Sequence, residues 1–313
     1  MEHAEPTLRI LLAAYNGEAY LRSLLDSLLA QECAGDYAII ASDDGSTDTT
    51  PGILDEYAAR YPGIVVRYRA PQRFGSSQAH FCHLMAKFAD TPYLMFCDQD
   101  DIWHPDKIRC TRTVMETLPQ DLPALVHTDL RVVDQDLTEL SPSFLRYSGL
   151  NGNRVALHEL LVQNVVTGCT MMINRSLARL AAAALPVPEM LMHDWWLALL
   201  AAACGNIRFL DAATIDYRQH GGNVVGAKNA RSPAYLLHRL AQRDAHDAFL
   251  KTTRQAGALL RAHAADMPED ARTLCARFAA LPQQSKAARL RTYRRCGFYK
   301  SGLPRRIGQI LVW

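Results

Sequence analysis

Short apolar runs of strand length alternate with helix-period stretches through the first 130 residues, and few folds accommodate that alternation. The runs are Leu8–Ala13, Tyr37–Ala41, Ile64–Tyr68, Tyr93–Cys97 and Ala124–His127. Between the first two, Leu21, Leu24, Leu25, Leu28 and Leu29 recur at i, i+3, i+4, i+7 and i+8, and Phe81, Leu84, Met85 and Phe88 repeat the spacing between the third and fourth. Each pattern gives a helix with one core-facing stripe. Strands and helices in strict succession stack as βαβ units, so an α/β fold around a mostly parallel sheet is predicted. Ser46-Thr47-Asp48 followed by Pro51 has the chemistry of a helix start, which makes Asp43-Asp44-Gly45 the turn at the carboxyl end of strand two. Ligands of open α/β sheets bind at such ends.

Beyond residue 150 the pattern is mixed: a strand-like Val166–Asn174, a helix over Ser176–Ala184, a helix beginning near His193, and strands at Ile207–Leu210 and Thr214–Arg218. After Gly226 only helical signals remain, which divides the chain into a catalytic-sized domain over 1–226 and a helical extension over 227–313. Charge divides it at nearly the same place. Residues 1–227 carry 17 Lys+Arg against 27 Asp+Glu, whereas 228–313 carry 17 against 5. A tail this basic is either a solvated helical face or a surface for an anionic partner.

Length and composition add limits. A chain of 313 residues that is 49% hydrophobic can bury a substantial core. Its eight cysteines form no CxxC pair, so they suggest neither a disulfide framework nor structural zinc, and the expected compartment is the cytoplasm. The most apolar stretch, Leu197–Cys204, is far short of the roughly 20 residues needed to cross a bilayer. His80 and His83 flank Cys82 without further ligands at zinc spacing and read as packing or surface residues.

Two acidic groups stand out. Asp43 and Asp44 follow the second strand, and Asp98, Asp100 and Asp101 follow the fourth, so both belong at one end of one sheet. Carboxylates gathered there repel one another unless a cation joins them, and oxygen ligands at an open site suit Mg²⁺ or Mn²⁺ bridging to phosphate. The plainer reading is an acidic turn, which for Asp-Gly needs no ligand at all. Asp194 likewise reads either as a functional carboxylate kept ionised by a helix amino end or as the start of the apolar helix Trp195–Ala203.

Taken in order, Ala13-Ala14-Tyr15-Asn16, "SDDGSTDTT" at Ser42–Thr50, "DQDDIWHPDKI" at Asp98–Ile108, "HDWW" at His193–Trp196 and "YRQHGGN" at Tyr217–Asn223 resemble a family 2 glycosyltransferase of GT-A fold. Within that family the motifs are most similar to bacterial rhamnosyltransferase-like enzymes of surface-polysaccharide synthesis. The resemblance implies inverting transfer of a sugar from a nucleotide diphosphate donor, with a divalent metal, Mg²⁺ or Mn²⁺, on the diphosphate. It implies that Ala13 and Tyr15 line the nucleobase pocket, that Asp44 accepts a hydrogen bond from a pyrimidine imide and that Asp98 lies near the ribose. By the same carry-over Asp100 holds the metal, Asp101 shapes the turn, and Asp194 is the base that takes the acceptor proton. Arg218 and His220 then meet the diphosphate or complete the metal shell, and Trp195 or Trp196 offers a stacking face.

Two departures bear on donor identity. Ala13 stands where relatives often carry a small hydroxyl residue, and His80 stands where they often carry asparagine before the aromatic Phe81. The expected donor is a dTDP- or UDP-sugar, with L-rhamnose implied by the resemblance, and the expected acceptor is a glycan or lipid-linked glycan. A sugar-phosphate nucleotidyltransferase would want a glycine-rich basic loop after strand one, and Ala14-Tyr15-Asn16-Gly17-Glu18 is not one. A non-catalytic nucleotide-sugar-binding protein of the same fold is the remaining alternative. In the tail, Phe298, Tyr299, Leu303, Ile307, Ile310, Leu311 and Trp313 interleave with Lys300, Arg305 and Arg306, a pattern expected either at a lipid interface on the inner face of the membrane or in a helical cap or dimer contact.

Overall fold

In a computed structural model, residues 5–33, 36–220 and 244–312 are described. Among these residues nine strands form one sheet: β1 (Leu8–Ala14), β2 (Tyr37–Asp43), β3 (Val65–Tyr68), β4 (Tyr93–Cys97), β5 (Ile102–Trp103), β6 (Ala124–Val133), β7 (Glu139–Ser141), β8 (Met171–Asn174) and β9 (Asn206–Arg218). Their order is β3-β2-β1-β4-β8-β6-β9-β5, with β7 paired to β6. β1 through β4 run parallel, β8 runs antiparallel between β4 and β6, and β6 and β9 are again parallel. The parallel half puts the carboxyl ends of β1, β2 and β4 side by side, which gathers the loops after Ala14, Asp43 and Cys97.

The helices follow from sequence periodicity. Leu21, Leu24, Leu25 and Leu28 form the buried stripe of α1 (Leu21–Leu29), and Phe81, Leu84 and Met85 that of α3 (Ser77–Lys87). Pro51 falls in the first turn of α2 (Thr50–Arg60), where its missing N–H costs nothing. β1 faces two ways, as alternation requires: Leu8, Ile10 and Leu12 pack with the α1 leucines, and Leu11 packs on the other side with Phe81 and Leu84.

The second half corrects two expectations. Val166–Asn174 is not one strand; Gly168–Thr170 is a turn of 3₁₀ helix, closed by Thr170, whose Oγ1 donates to the Thr167 carbonyl at 2.7 Å, and only Met171–Asn174 is extended. Conversely, the two runs at Ile207–Leu210 and Thr214–Arg218 are a single strand. Thr128 pairs with Leu210 but Asp129 pairs with Ala213, so Asp211 and Ala212 are absorbed as a bulge that bends β9. After α4 (Lys107–Met115), α5 (Phe144–Tyr147) and α6 (Leu157–Leu160), α7 (Arg175–Ala182) and α8 (His193–Cys204) lie where helices are predicted. Gly205 ends α8 under close approach, since a Cβ there would stand 1.9 Å from the Pro123 carbonyl oxygen.

The tail helices Asp244–His263, Glu269–Ala279 and Lys286–Cys296 contribute Phe249, Leu259, Cys275, Phe278 and Tyr293 to the apolar cluster that holds Phe81 and Trp196. They share the core of the sheet domain. Phe298, expected at an interface, is fully buried with its ring edge-on to Phe278 at 5.0 Å, and Tyr299 is half-buried. The boundary expected at 226/227, the end of "YRQHGGN" and Trp313 lie outside the described residues. Among the described residues no helix is long and apolar enough to cross a membrane.

Candidate active site

The loops at the carboxyl ends of β1, β2 and β4 meet the amino end of α8 around a cleft of about 370 Å³. One wall is stitched from three loops. Asn16 Oδ1 accepts from Thr47 N at 2.8 Å, and Gly17 N donates to Thr50 Oγ1 at 2.8 Å, tying the loop after β1 to the start of α2. Asn16 adopts a positive φ of 49°, which its short polar side chain tolerates. Gln99 then clamps the same loop to the acidic turn: its Oε1 accepts from Tyr15 N at 2.7 Å and its Nε2 donates to Tyr15 O at 2.8 Å. A leucine in place of Gln99 would free both main-chain groups of Tyr15. We expect Gln99→Leu to raise the KM for a nucleotide donor about tenfold with kcat changed far less, because two hydrogen bonds of about 1 kcal/mol each hold that wall; steady-state kinetics check it.

Ala13, Tyr15, Asp44, Asp98, Asp100 and Asp194 all line this cleft, so the structure brings together six residues singled out from the sequence. Tyr15 is exposed, and the Arg73 guanidinium sits 4.9 Å from its ring centroid. Asp44 is buried. Its Oδ1 accepts from Phe74 N and its Oδ2 from Gly75 N at 2.8 Å, so it braces the loop after β3 and keeps lone pairs for a ligand. Of the two histidines read as packing or surface residues, His80 lines the cleft, its Nε2 2.8 Å from Ser42 Oγ, whereas His83 lies outside the lining with its Nε2 2.9 Å from the Tyr68 hydroxyl.

The opposite wall comes from α8. Asp194, in its first turn, accepts from Trp195 N and from Asn164 Nδ2 at 3.3 Å. Burial pushes its carboxyl up to about 7, against the hydrogen bonds that favour the ionised form. His193 beside it is buried against Phe81 and Phe96 and held neutral, its basicity lowered to about 4 by desolvation. A Cβ on Gly168 would approach His193 Nε2 to 2.8 Å, so glycine is what lets the 3₁₀ turn pass this wall. Trp196 is core, and Trp195 donates from Nε1 to the Leu160 carbonyl at 2.7 Å; neither lines the cleft.

The floor is acidic. Desolvation first, then the charges of Asp100 and Asp194, push the Asp98 carboxyl up to about 7. Asp100 Oδ2 lies 2.7 Å from His220 Nε2, so the two residues expected around a metal are in contact. Asp101 turns inward: it is fully buried, its Oδ1 accepts from Arg218 N at 3.3 Å, and burial holds its carboxyl well above the usual range. Arg218 does not reach the cleft wall. It is 4% exposed, its Nε donates to the Asp100 carbonyl at 2.9 Å and its Nη1 to the Gln135 carbonyl at 2.6 Å, and its guanidinium lies over Tyr20.

Two sets of atoms could accept a divalent cation. One oxygen each of Asp98 and Asp101 and the Cys169 sulfur lie within 4.8 Å of one another. That set fits a hard ion poorly, because burial keeps the Cys169 thiol protonated and Asp101 is turned into the core. Asp98 and Asp100 both line the cleft, with His220 against Asp100, and supply the hard donors that Mg²⁺ or Mn²⁺ prefers.

Arg73 and Gln99 were not singled out from sequence. Arg73 stands before Phe74-Gly75, with Gly75 at φ +71°, a turn signal at the end of a strand that would have marked its loop. Gln99 lies between Asp98 and Asp100, where the acids draw attention away from it.

A family model described as glycosyl transferase family 2 matches residues 9–180. The dTDP-rhamnosyl transferase RfbG of Shigella flexneri is 27% identical over 224 residues, 69% of this chain and 74% of that protein. The chain spans 60% of the length of three mycobacterial relatives. Among solved structures, Staphylococcus aureus TarS in complex with UDP-GlcNAc superposes with a TM-score of 0.53 at 17% identity, covering 93% of this chain and 92% of that one. The mannosyltransferase PcManGT of Pyrobaculum calidifontis, in complex with GDP-Man and Mn²⁺, gives 0.51 at 19% identity over 95% and 82%. With a family model covering more than half its length and a sheet that superposes on GT-A glycosyltransferases, the chain belongs to glycosyl transferase family 2.

Proposed function

We propose that the chain moves a sugar, with inversion, from a dTDP- or UDP-sugar to a glycan or lipid-linked glycan acceptor in bacterial surface-polysaccharide synthesis. The observation that carries the reading is the cleft itself. Asp194 stands on one wall with its carboxyl near 7, and the acidic turn with Asp98 and Asp100 stands across from it. Similarity to RfbG, a dTDP-rhamnosyl transferase, supports rhamnose as the transferred sugar and dTDP as its carrier.

Each residue then has a task. Tyr15 and the Ala13 main chain receive the base, with Asp44 accepting from a pyrimidine imide N–H. Asp98 meets the ribose. Asp98 and Asp100, with His220, would hold Mg²⁺ or Mn²⁺, which supplies positive charge against that building on the leaving diphosphate. Asp194 takes the acceptor hydroxyl proton as that oxygen bonds to the anomeric carbon. The bond from that carbon to the diphosphate oxygen breaks, and the nucleoside diphosphate leaves with the electron pair. Arg218 acts at one remove, holding the Asp100 and Gln135 carbonyls and so the pose of the acidic turn.

A panel of nucleotide sugars, each with Mg²⁺ or Mn²⁺, tests the reading by nucleotide release and thermal shift. We expect dTDP-rhamnose or a UDP-sugar to raise the melting temperature and release nucleotide when acceptor is present. Absence of any shift or release across the panel would defeat it.

A further inference from the structure

The last described helix, Leu303–Val312, is mounted with its polar side inward. Gln309 is 2% exposed; its Oε1 accepts from Lys300 N at 2.9 Å and its Nε2 donates to the Phe298 carbonyl at 2.8 Å. Arg305 donates to the carbonyls of Ser148 and Gly149. These two residues are one turn apart and fix the helix to the body of the protein. The other side carries Leu303, Ile307 and Leu311, spaced by four, and they are 70%, 50% and 63% exposed. An ordinary surface helix does the reverse, with its apolar stripe on the core and its polar side in water.

Along the chain, the charge near this stripe is of one sign. From Ala271 to Trp313 the chain carries ten Lys+Arg and no Asp or Glu. Arg291, Arg294 and Arg295, on the preceding helix Lys286–Cys296, are exposed, as is Arg306 beside Ile307. A ridge of large aliphatic side chains within a segment of unbroken positive charge has the two elements of peripheral membrane attachment: apolar insertion at shallow depth and attraction to anionic headgroups. A helix of ten residues cannot span a bilayer but can lie in its interface.

We propose that Leu303, Ile307 and Leu311 insert into an anionic lipid surface while the exposed Arg291, Arg294, Arg295 and Arg306 face its headgroups. Phe298, buried against Phe278, serves the opposite end of the device by anchoring the mount in the core. The orientation is built in, because the helix is held by side-chain hydrogen bonds and needs no rearrangement to present its apolar edge.

Co-sedimentation of the full chain with vesicles tests this. The protein should pellet with phosphatidylcholine vesicles containing about one-third phosphatidylglycerol and stay in solution with phosphatidylcholine alone, and added salt should weaken binding as screening shortens the reach of the charges. Leu303→Glu/Ile307→Glu/Leu311→Glu should lower partitioning about tenfold or more with the melting temperature unchanged, since the replaced side chains already face water. Arg294→Glu/Arg295→Glu should remove the preference for anionic vesicles. The proposal fails if the unmodified chain ignores headgroup charge, or if the triple variant pellets like the parent. It fails too if the parent is a dimer that the triple substitution converts to monomer, because the stripe would then be covered by a second copy. Vesicle binding reads no sugar transfer, so its failure would leave the catalytic reading standing.

Discussion

Asp194→Asn should lower kcat about 10²–10⁴-fold, the usual contribution of a positioned base, and leave donor affinity within about twofold, because an amide keeps the shape but cannot take a proton. The acidic limb of the parent's rate profile should lie near the carboxyl's value of about 7. Below it the neutral acid accumulates and the rate falls about tenfold per pH unit. The stability effect has the opposite sign. A carboxyl raised by burial favours the folded state when protonated, so its contribution is complete below the ordinary carboxylate range and is lost as pH rises through about 7. Asp194→Asn removes the charge that folding must desolvate, and at pH above about 7 the variant should melt higher than its parent. An inactive variant that is also more stable would mark Asp194 as a group kept for chemistry.

The second large effect is expected at the acidic turn. Asp100→Asn should weaken metal-dependent donor binding by about 100-fold, given that removing even an outer partner of a metal ligand commonly costs 10–100-fold. Chelation of the unmodified protein should reproduce the loss, and metal should fail to restore the variant. Isothermal titration with and without Mn²⁺ separates this from misfolding, since the carboxylate lines the cleft and the turn's main chain is held independently by Arg218. Binding by Asp100→Asn equal to that of the parent would move the cation elsewhere.

The central sheet was legible because its strands are buried on both faces and read as continuous apolar runs. The order of βαβ units then placed two acidic turns at one end of the sheet. Periodicity carried less information where local chemistry interrupts it: the Thr170 hydroxyl closes a turn inside an apolar run, and a two-residue bulge joins what reads as two strands. Side-chain direction was the least legible. Nothing in the spacing of "YRQHGGN" distinguishes an Arg218 aimed at a ligand from one aimed at the Asp100 carbonyl, and only the fold supplies that carbonyl. The Gln99–Tyr15 pairing spans 84 residues and arises only once β1 and β4 lie side by side. In the tail, aromatic and basic residues interleave in a pattern common to caps and to lipid interfaces, and burial separates the two uses at Phe298 and Leu303.

Anomalous scattering from Mn²⁺ in crystals of Asp194→Asn grown with a nucleotide-sugar donor locates metal, base and sugar in one measurement. One manganese is expected beside Asp98 and Asp100, with the base against Tyr15 and the anomeric carbon facing residue 194. Manganese at Cys169 and Asp101, or a donor bound outside this cleft, would contradict this arrangement.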